Sequence, residues 1–357
     1  MAHFRKRCLS VLITDVCNLH CSYCYCKGTK SSSNKVNMRF VKRAILDFYE
    51  QEGKIFVRFF GDGEPTLFKD TIKEIVEFCY NIDKNAKFEL QTNGTYNEDF
   101  GKWIAENINI VWISYDGTTE INDHYRKDVR GKSVSKLVEK NIKYLATRIE
   151  TLGVRSTIGA YNVYRQNEII DKMEELGVKN IYSDLMFGEV GTGKYFEKEV
   201  DTMVYAKTFL EAYRYAKNKG ISYGSFFTIN FDEKVLISCR SCVPMPHLTT
   251  DGYVSCCDMG YEYDESMDCL FYGKYDSETD TIHYNTKKIK YLQERSINNL
   301  KECENCEAKY HCAGGCIGEA LNEKGSIYAI KEKNCEAIRY LAKAILEEGV
   351  EKMPLHP

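Results

Sequence analysis

Cys17-Asn-Leu-His-Cys21-Ser-Tyr-Cys24 follows closely on the apolar run Leu9-Ser-Val-Leu-Ile13. Three thiolates fill three corners of an iron–sulfur cube, whereas a closed [4Fe–4S] cluster takes four. A compact set of three therefore points to a cluster with one open iron, free to hold a substrate or cofactor. A zinc site completed by His20, Cys26 or a distant residue is the competing assignment, and three thiols on a loop is the plainest one.

Outward from this motif, strand-like and helical patterns alternate. Apolar runs at Cys8 to Ile13, Lys54 to Phe60, Lys87 to Gln91, Ile108 to Ser114, Gly153 to Ile158 and Lys179 to Leu185 predict six strands. Helical spacing separates them: Val41, Ile45, Phe48 and Tyr49, then Phe68 to Cys79, Asp99 to Glu106, Val134 to Leu145 and Asn167 to Leu176. Such alternation implies a parallel sheet, whose ligands gather on the loops at the carboxyl ends of its strands. The cysteine triplet lies on the first of these loops. The later ones read Gly61-Asp-Gly-Glu-Pro65, Thr92-Asn-Gly-Thr95 and Ser114-Tyr-Asp-Gly117. Each alone is an ordinary turn, but together they place small polar residues at one end of the sheet, where a polar ligand needs close backbone approach.

A longer helix is expected from Glu197 to Lys219. Beyond Gly220 aliphatic periodicity fades and most of the 16 cysteines follow, between Cys239 and Cys335. This places a boundary near residue 225, with the distal segment needing metal to hold it and a helix from Ala337 to Glu348 closing the chain. A net charge of −3 gives no reason to expect nucleic acid or a membrane surface as partner, and no stretch approaches transmembrane length. With no export signal, a reducing cytoplasmic compartment is expected, where so many thiols are better explained as metal ligands than as disulfides. The histidines His20, His124, His247 and His311 are scattered and receive no role. Cys8 and Cys79 are expected to pack in the core.

These motifs resemble the radical S-adenosylmethionine (radical SAM) superfamily, and within it the subgroup with a C-terminal SPASM domain. The resemblance spans nearly the whole chain. It implies an α/β fold: a partial (β/α)6 TIM-like barrel over residues 1–225, followed by a cysteine-rich SPASM domain over 226–357. It also implies that Cys17, Cys21 and Cys24 ligate a [4Fe–4S] cluster whose open iron is chelated by SAM, with Tyr23 at the family's aromatic position. The loop carrying Gly61, Gly63 and Glu64 would contact the methionyl amine, although Asp62 stands where the commonest form has glycine. Asn93, Ser114, Asp116 and Arg126 would complete the SAM site, holding its carboxylate and ribose. The distal run Cys303-x2-Cys306-x5-Cys312-x3-Cys316, then Cys335, matches the SPASM pattern. By that resemblance Cys303, Cys306, Cys312 and Cys335 ligate one auxiliary [4Fe–4S] cluster, and Cys239, Cys242, Cys257 and Cys316 another. Cys26 and Cys256 sit beside these ligands and compete for two of the places; Cys269 is left unassigned. Paired zinc ribbons are the alternative use of the same thiols.

The implied reaction is reductive cleavage of SAM to a 5′-deoxyadenosyl radical that removes hydrogen from the substrate. Asp258, directly after Cys257, matches the position of the base in anaerobic sulfatase-maturating enzymes; beside a buried cluster its pKa would be raised toward that task, whereas a turn cap is the plain alternative. The expected substrate is a peptide or protein side chain. A small-molecule substrate and a non-catalytic zinc-stabilised binding module are the alternatives. Sixteen residues precede Cys17, so no fused leader-binding domain is expected: substrate is recognised either by the barrel and SPASM surfaces directly or by a separate leader-binding protein, and an external electron donor is expected. The basic group Arg126, Lys127, Arg130 and Lys132 is read as a solvated loop or a receiver of acidic peptide.

Overall fold

The computed structural model describes residues 7–24, 35–186 and 199–350. Cys26 and the polar stretch from Lys30 to Asn34 lie outside these residues. The six expected strands are present as β1 (Leu9–Leu12), β2 (Phe56–Phe60), β3 (Lys87–Thr92), β4 (Ile110–Ser114), β5 (Thr151–Ile158) and β6 (Asn180–Leu185), joined side by side in that order and all parallel. A short seventh, β7 (Ser222–Gly224), extends the sheet beyond β6. Between them run α1 (Met38–Glu52), α2 (Lys69–Ile82), α3 (Glu98–Asn107), α4 (Thr119–Tyr125), α5 (Ser135–Leu145), α6 (Gln166–Glu175) and α7 (Thr202–Asn218). The short α4 was not expected from the sequence. Helix starts follow side-chain capping: Asn37 accepts from the backbone N–H groups of Arg39 and Phe40, and Asn97 from that of Phe100. α1 stops at Gly53, whose φ of 66° suits a residue without a Cβ.

Alternation along the strands gives the sheet two different faces. Val11, Val57, Phe59, Leu90, Val111 and Val154 pack with the apolar stripes of the helices. The opposite face has an apolar floor of Cys8, Phe56, Ile110, Trp112 and Tyr182. Moving along the same face toward the carboxyl ends, it becomes polar, with Arg58, Glu89, Gln91, Ser114, Arg155 and Asp184. Register confirms this row, since Arg58 sits opposite Glu89 and Ser114 opposite Arg155. Cys79 packs in the helix-side core, as expected, and Cys8 in the floor.

The cysteine-rich half does not stand apart from this sheet. β8 (His247–Leu248) pairs in parallel with β1, and β9 (Tyr253–Ser255), β10 (Phe271–Asp276) and β11 (Thr281–Tyr284) continue as an antiparallel meander. The result is one sheet of 11 strands among the described residues. The meander was not anticipated, because its strands are short and only half-apolar. α8 (Thr286–Gln293), α9 (Lys309–Cys312) and α10 (Ile317–Lys324) follow, and α11 (Glu332–Glu347) packs on α7. Among the described residues no helix is long and apolar enough to cross a membrane.

Gly153 lies opposite Trp112 in the floor, and a Cβ there would fall 2.1 Å from the indole Cζ3. Gly153→Ala should therefore overpack this layer and cost ~1–3 kcal/mol of stability, measurable as a lower denaturant midpoint. An unchanged midpoint would show that the indole has room to move.

Candidate active site

The three N-terminal cysteines lie on the loop after β1, and all three border a cavity of about 300 Å³ over the polar end of the sheet. The loop is held by backbone contact. Gly63 N–H donates to Thr14 O (3.2 Å) and Glu64 N–H to Val16 O (2.8 Å). A Cβ on Gly63 would lie 2.3 Å from Val16 O, and one on Gly61 2.9 Å from Thr14 O, so both glycines are needed for close approach of the two loops.

Glu64 is buried and engaged on both oxygens. Its Oε1 accepts from the Thr66 N–H (3.0 Å), the Thr66 hydroxyl (2.6 Å) and the Thr92 hydroxyl (2.7 Å), and its Oε2 from the Asn93 N–H (2.6 Å). Burial raises its pKa while these donors oppose the rise. Glu64 thus fastens the glycine loop to the end of β3. Asn93 Nδ2 donates to Asn18 Oδ1 (2.9 Å), bracing the cysteine loop from the same strand end. On the other side the Tyr23 hydroxyl donates to Asp116 Oδ2 (2.6 Å) and accepts from Arg126 Nη1 (2.7 Å). Asp116 Oδ1 accepts from the Thr157 N–H (2.9 Å). Asp116 is fully buried and does not border the cavity, whereas Tyr23, Gly61, Gly63, Glu64, Asn93, Ser114 and Arg126 do. Of the basic group, Arg126 is buried on Tyr23, while Lys127, Arg130 and Lys132 are exposed on a hairpin beside the cysteine loop. Burial pushes the Cys17 thiol up to about 12 and Cys21 up to about 11, so each stays a neutral thiol unless a bound cation compensates the thiolate.

The far wall of the same cavity comes from the cysteine-rich half. Cys239, Cys257 and Cys316 border it, as do His247 and Asp258. At Asp258 the ionisation differs from the raised pKa expected of it. Arg58 Nη1 and Nη2 each donate to one of its oxygens at 2.8 Å, and His247 Nδ1 lies 3.1 Å from Oδ1. Although burial opposes it, the Arg58 charge together with His247 holds the carboxyl well below its usual range. Sequence reasoning missed Arg58, His247 and the pair Arg155–Asp184 (2.7 Å), which also borders the cavity. Arg58 did leave a signal, as the one charged residue inside the run Ile55 to Phe60.

Residues 11–162 match the profile of the radical SAM superfamily. They form a radical SAM domain. Over 94% of this chain and 98% of the relative, 29% of residues are identical to a cysteine-type anaerobic sulfatase-maturating enzyme of Clostridium novyi (strain NT). Native anSMEcpe with bound AdoMet and Kp18Cys peptide superposes with a TM-score of 0.76, at 19% identity over 95% of this chain and 97% of that one. Streptococcus suis SuiB bound to its precursor peptide SuiA gives 0.66, at 16% identity over 93% and 76%. At these identities the structural likeness is one of fold, and it extends from the radical SAM domain through the cysteine-rich C-terminal region.

Members of the superfamily use SAM and a [4Fe–4S] cluster, and the donor set here suits both. Three thiols and a loop closed to any Cβ share one cavity with Ser114 and Arg126. A second, more enclosed cavity of about 100 Å³ is bordered by Cys303, Cys306, Cys312 and Cys335, and also by Cys239 and Cys316. Cys242 and Cys256 border neither cavity. The Cys242 thiol instead hydrogen-bonds Cys239, which brings Cys239 down to about 6 despite burial. Among the described residues no three Cys, His, Asp or Glu groups converge on a single ion.

Two outcomes test this geometry. Gly63→Ala should displace the cysteine loop, lowering both the iron bound at the N-terminal site and the thermal midpoint, because the added Cβ meets backbone atoms that must shift; full iron content with an unchanged midpoint would refute the close-approach argument. Asp258→Asn should destabilise the protein by ~2 kcal/mol, because Glu89 at 3.4 Å is then the one carboxylate left facing the buried Arg58 among the described residues, beside the Ser10 hydroxyl at 3.3 Å. A change in activity alone, with stability intact, would point back to a purely chemical role.

Proposed function

We propose that this chain is a radical SAM/SPASM peptide or protein maturase that removes hydrogen from a side chain of its substrate. The observation that carries the reading is the shared cavity: Cys17, Cys21 and Cys24 border one wall, and Cys239, Cys257 and Cys316 the other. Substrate between them would have a hydrogen-abstracting group on one side and electron acceptors on the other. In this reading Cys17, Cys21 and Cys24 hold the SAM-binding cluster. Cys303, Cys306, Cys312 and Cys335 hold one auxiliary [4Fe–4S] cluster, and Cys239, Cys242, Cys257 and Cys316 the second.

SAM on a reduced [4Fe–4S] cluster supplies, when bound, a 5′-deoxyadenosyl radical as hydrogen acceptor. The protein's own residues position and enclose. Gly61 to Glu64 and Asn93 fix the cysteine loop, Tyr23 and Asp116 set Arg126 at the cavity edge, and Ser114 offers a hydroxyl beside it. Arg155, paired with Asp184 and lying 5.4 Å over the Phe226 ring, gives the opposite wall a charge suited to a polar peptide backbone or a carboxylate. Walls supplied by both halves of the chain would keep other hydrogen donors away from the reacting carbon once substrate fills the cavity. The division near residue 225 then separates a radical-generating half from an electron-accepting one. A cytoplasmic location, an external electron donor and a separate leader-binding protein belong to the same proposal.

Anaerobically reconstituted protein is expected to carry about twelve irons for three four-iron clusters. With Kp18Cys peptide deuterated at the β-carbon of its target cysteine, it should transfer deuterium into 5′-deoxyadenosine. Stoichiometric zinc without visible iron–sulfur absorption would overturn the enzyme reading; SAM cleavage without deuterium transfer from this peptide or other sulfatase-derived peptides would overturn the maturase reading.

A further inference from the structure

We propose that Arg295 is the built-in counter-cation of the two auxiliary clusters, its charge making them readier to accept an electron; the inference rests on the cluster assignments proposed above. Two arginine side chains are fully buried among the described residues, Arg58 and Arg295. Arg58 is met by the carboxylates of Asp258 and Glu89. No carboxylate pairs with Arg295 among the described residues, and its hydrogen-bond acceptors are all neutral. A charge buried without an opposite charge nearby is costly, so this guanidinium calls for an anion other than a side-chain carboxylate.

The cysteine-bearing segments themselves hold the guanidinium in place. Its Nη1 donates to Ala313 O (2.7 Å) and Ser238 Oγ (3.4 Å), its Nη2 to Gly314 O (2.9 Å) and its Nε to Ile327 O (3.1 Å). Ser238 directly precedes Cys239, while Ala313 and Gly314 lie between Cys312 and Cys316. The Ser238 hydroxyl also donates to Gly315 O (2.7 Å), tying the two segments together. Ala313, Gly314 and Gly315 have φ of 47°, 82° and 69°, a left-handed run that presents two successive carbonyls to one guanidinium. A Cβ on Gly314 would fall 2.8 Å from Arg295 Nη2 and 2.2 Å from Leu300 Cδ1, so glycine permits the approach.

Ser238 and Gly314 border the smaller cavity together with Cys239, Cys303, Cys312 and Cys316, so the cation stands behind a wall that carries thiols of both sets. Its charge acts on Cys239 and Cys242 of the nearer set and on Cys303 of the distal one. Four thiolates outweigh the charge of an iron–sulfur core, so a fully ligated cluster is anionic and becomes more so on reduction. A fixed cation closed off from water therefore favours the reduced form and raises the reduction potential of a cluster beside it. The carbonyls of the loop require only hydrogen-bond donors. The positive charge is what they do not require and anionic clusters do.

Arg295→Gln removes the charge and keeps amide donors, whereas Arg295→Lys keeps the charge and loses the fork. Both are compared with the unaltered full chain after anaerobic reconstitution, by iron content and by redox titration followed with electron paramagnetic resonance. The signal that changes on adding SAM reports the N-terminal cluster and serves as internal reference. In Arg295→Gln the auxiliary signals should need a stronger reductant, by about tenfold in the one-electron equilibrium or ~59 mV, while the N-terminal midpoint stays in place. Arg295→Lys should titrate like the unaltered chain. Should Arg295→Gln lose its auxiliary iron instead, retention of that iron in Arg295→Lys supports the same requirement for charge. Loss of auxiliary iron in Arg295→Lys, or equal shifts in both variants, would mark a role in hydrogen bonding alone and overturn the proposal. So would full iron with unshifted auxiliary midpoints in Arg295→Gln. If the unaltered chain itself holds no auxiliary iron, the cluster assignments fail and this inference falls with them.

Discussion

The fully buried guanidinium of Arg58 is the constraint on which the joining of the two halves depends. A cation in the middle of a parallel strand, with no access to water, is tolerated only when carboxylates meet it with good geometry. One is local, Glu89 on the neighbouring strand at 3.4 Å. The other, Asp258, comes from 200 residues further along and binds in a two-point fork. Satisfying Arg58 therefore requires the cysteine-rich half to lie over the polar end of the sheet, with Cys257 one residue from the fork. The pairing of β8 with β1 fixes the same placement through backbone hydrogen bonds.

Much of the radical SAM domain was legible in the sequence because its determinants are local. The six apolar runs became six parallel strands with boundaries shifted by at most two residues, as at Ile110 and Thr151. Parallel strands covered on both faces read as continuous apolar runs, and the helices between them carry clear stripes. The cysteine spacings were equally direct, since they are a matter of chain chemistry rather than of packing. What the runs concealed was their second face. Arg58, Glu89, Gln91 and Arg155 occupy alternate positions on one side, and that alternation separates the polar site from its apolar floor. Recognising it requires knowing which face the helices cover.

The site residues were harder to assign, for a physical reason. Buried polar groups bind one another before they bind a ligand, and those partners are remote in sequence. Asp116 and Arg126 looked like direct ligand contacts, yet both are engaged with Tyr23, 93 and 103 residues away. Glu64 similarly spends its oxygens on Thr66, Thr92 and Asn93. The expected loops are at the expected strand ends, but several of their side chains brace the cysteine loop. Asp258 shows the strongest case: adjacency to Cys257 suggested a base, and only the distant Arg58 reverses the direction of its ionisation. His247 carried no local signal at all, because its meaning comes from a two-residue strand.

The thiols divide in space in a way that orders them functionally. Cys17, Cys21, Cys24 and Cys257 border only the larger cavity, Cys303, Cys306, Cys312 and Cys335 only the smaller, and Cys239 and Cys316 border both. In the proposed reading, an electron leaving substrate meets the set containing Cys257 first and the distal set second. The Arg58–Asp258 fork sets that order, because Asp258 adjoins Cys257 and borders the same cavity as the N-terminal thiols. A single buried cation thus fixes where the cysteine-rich half faces the first cysteine loop.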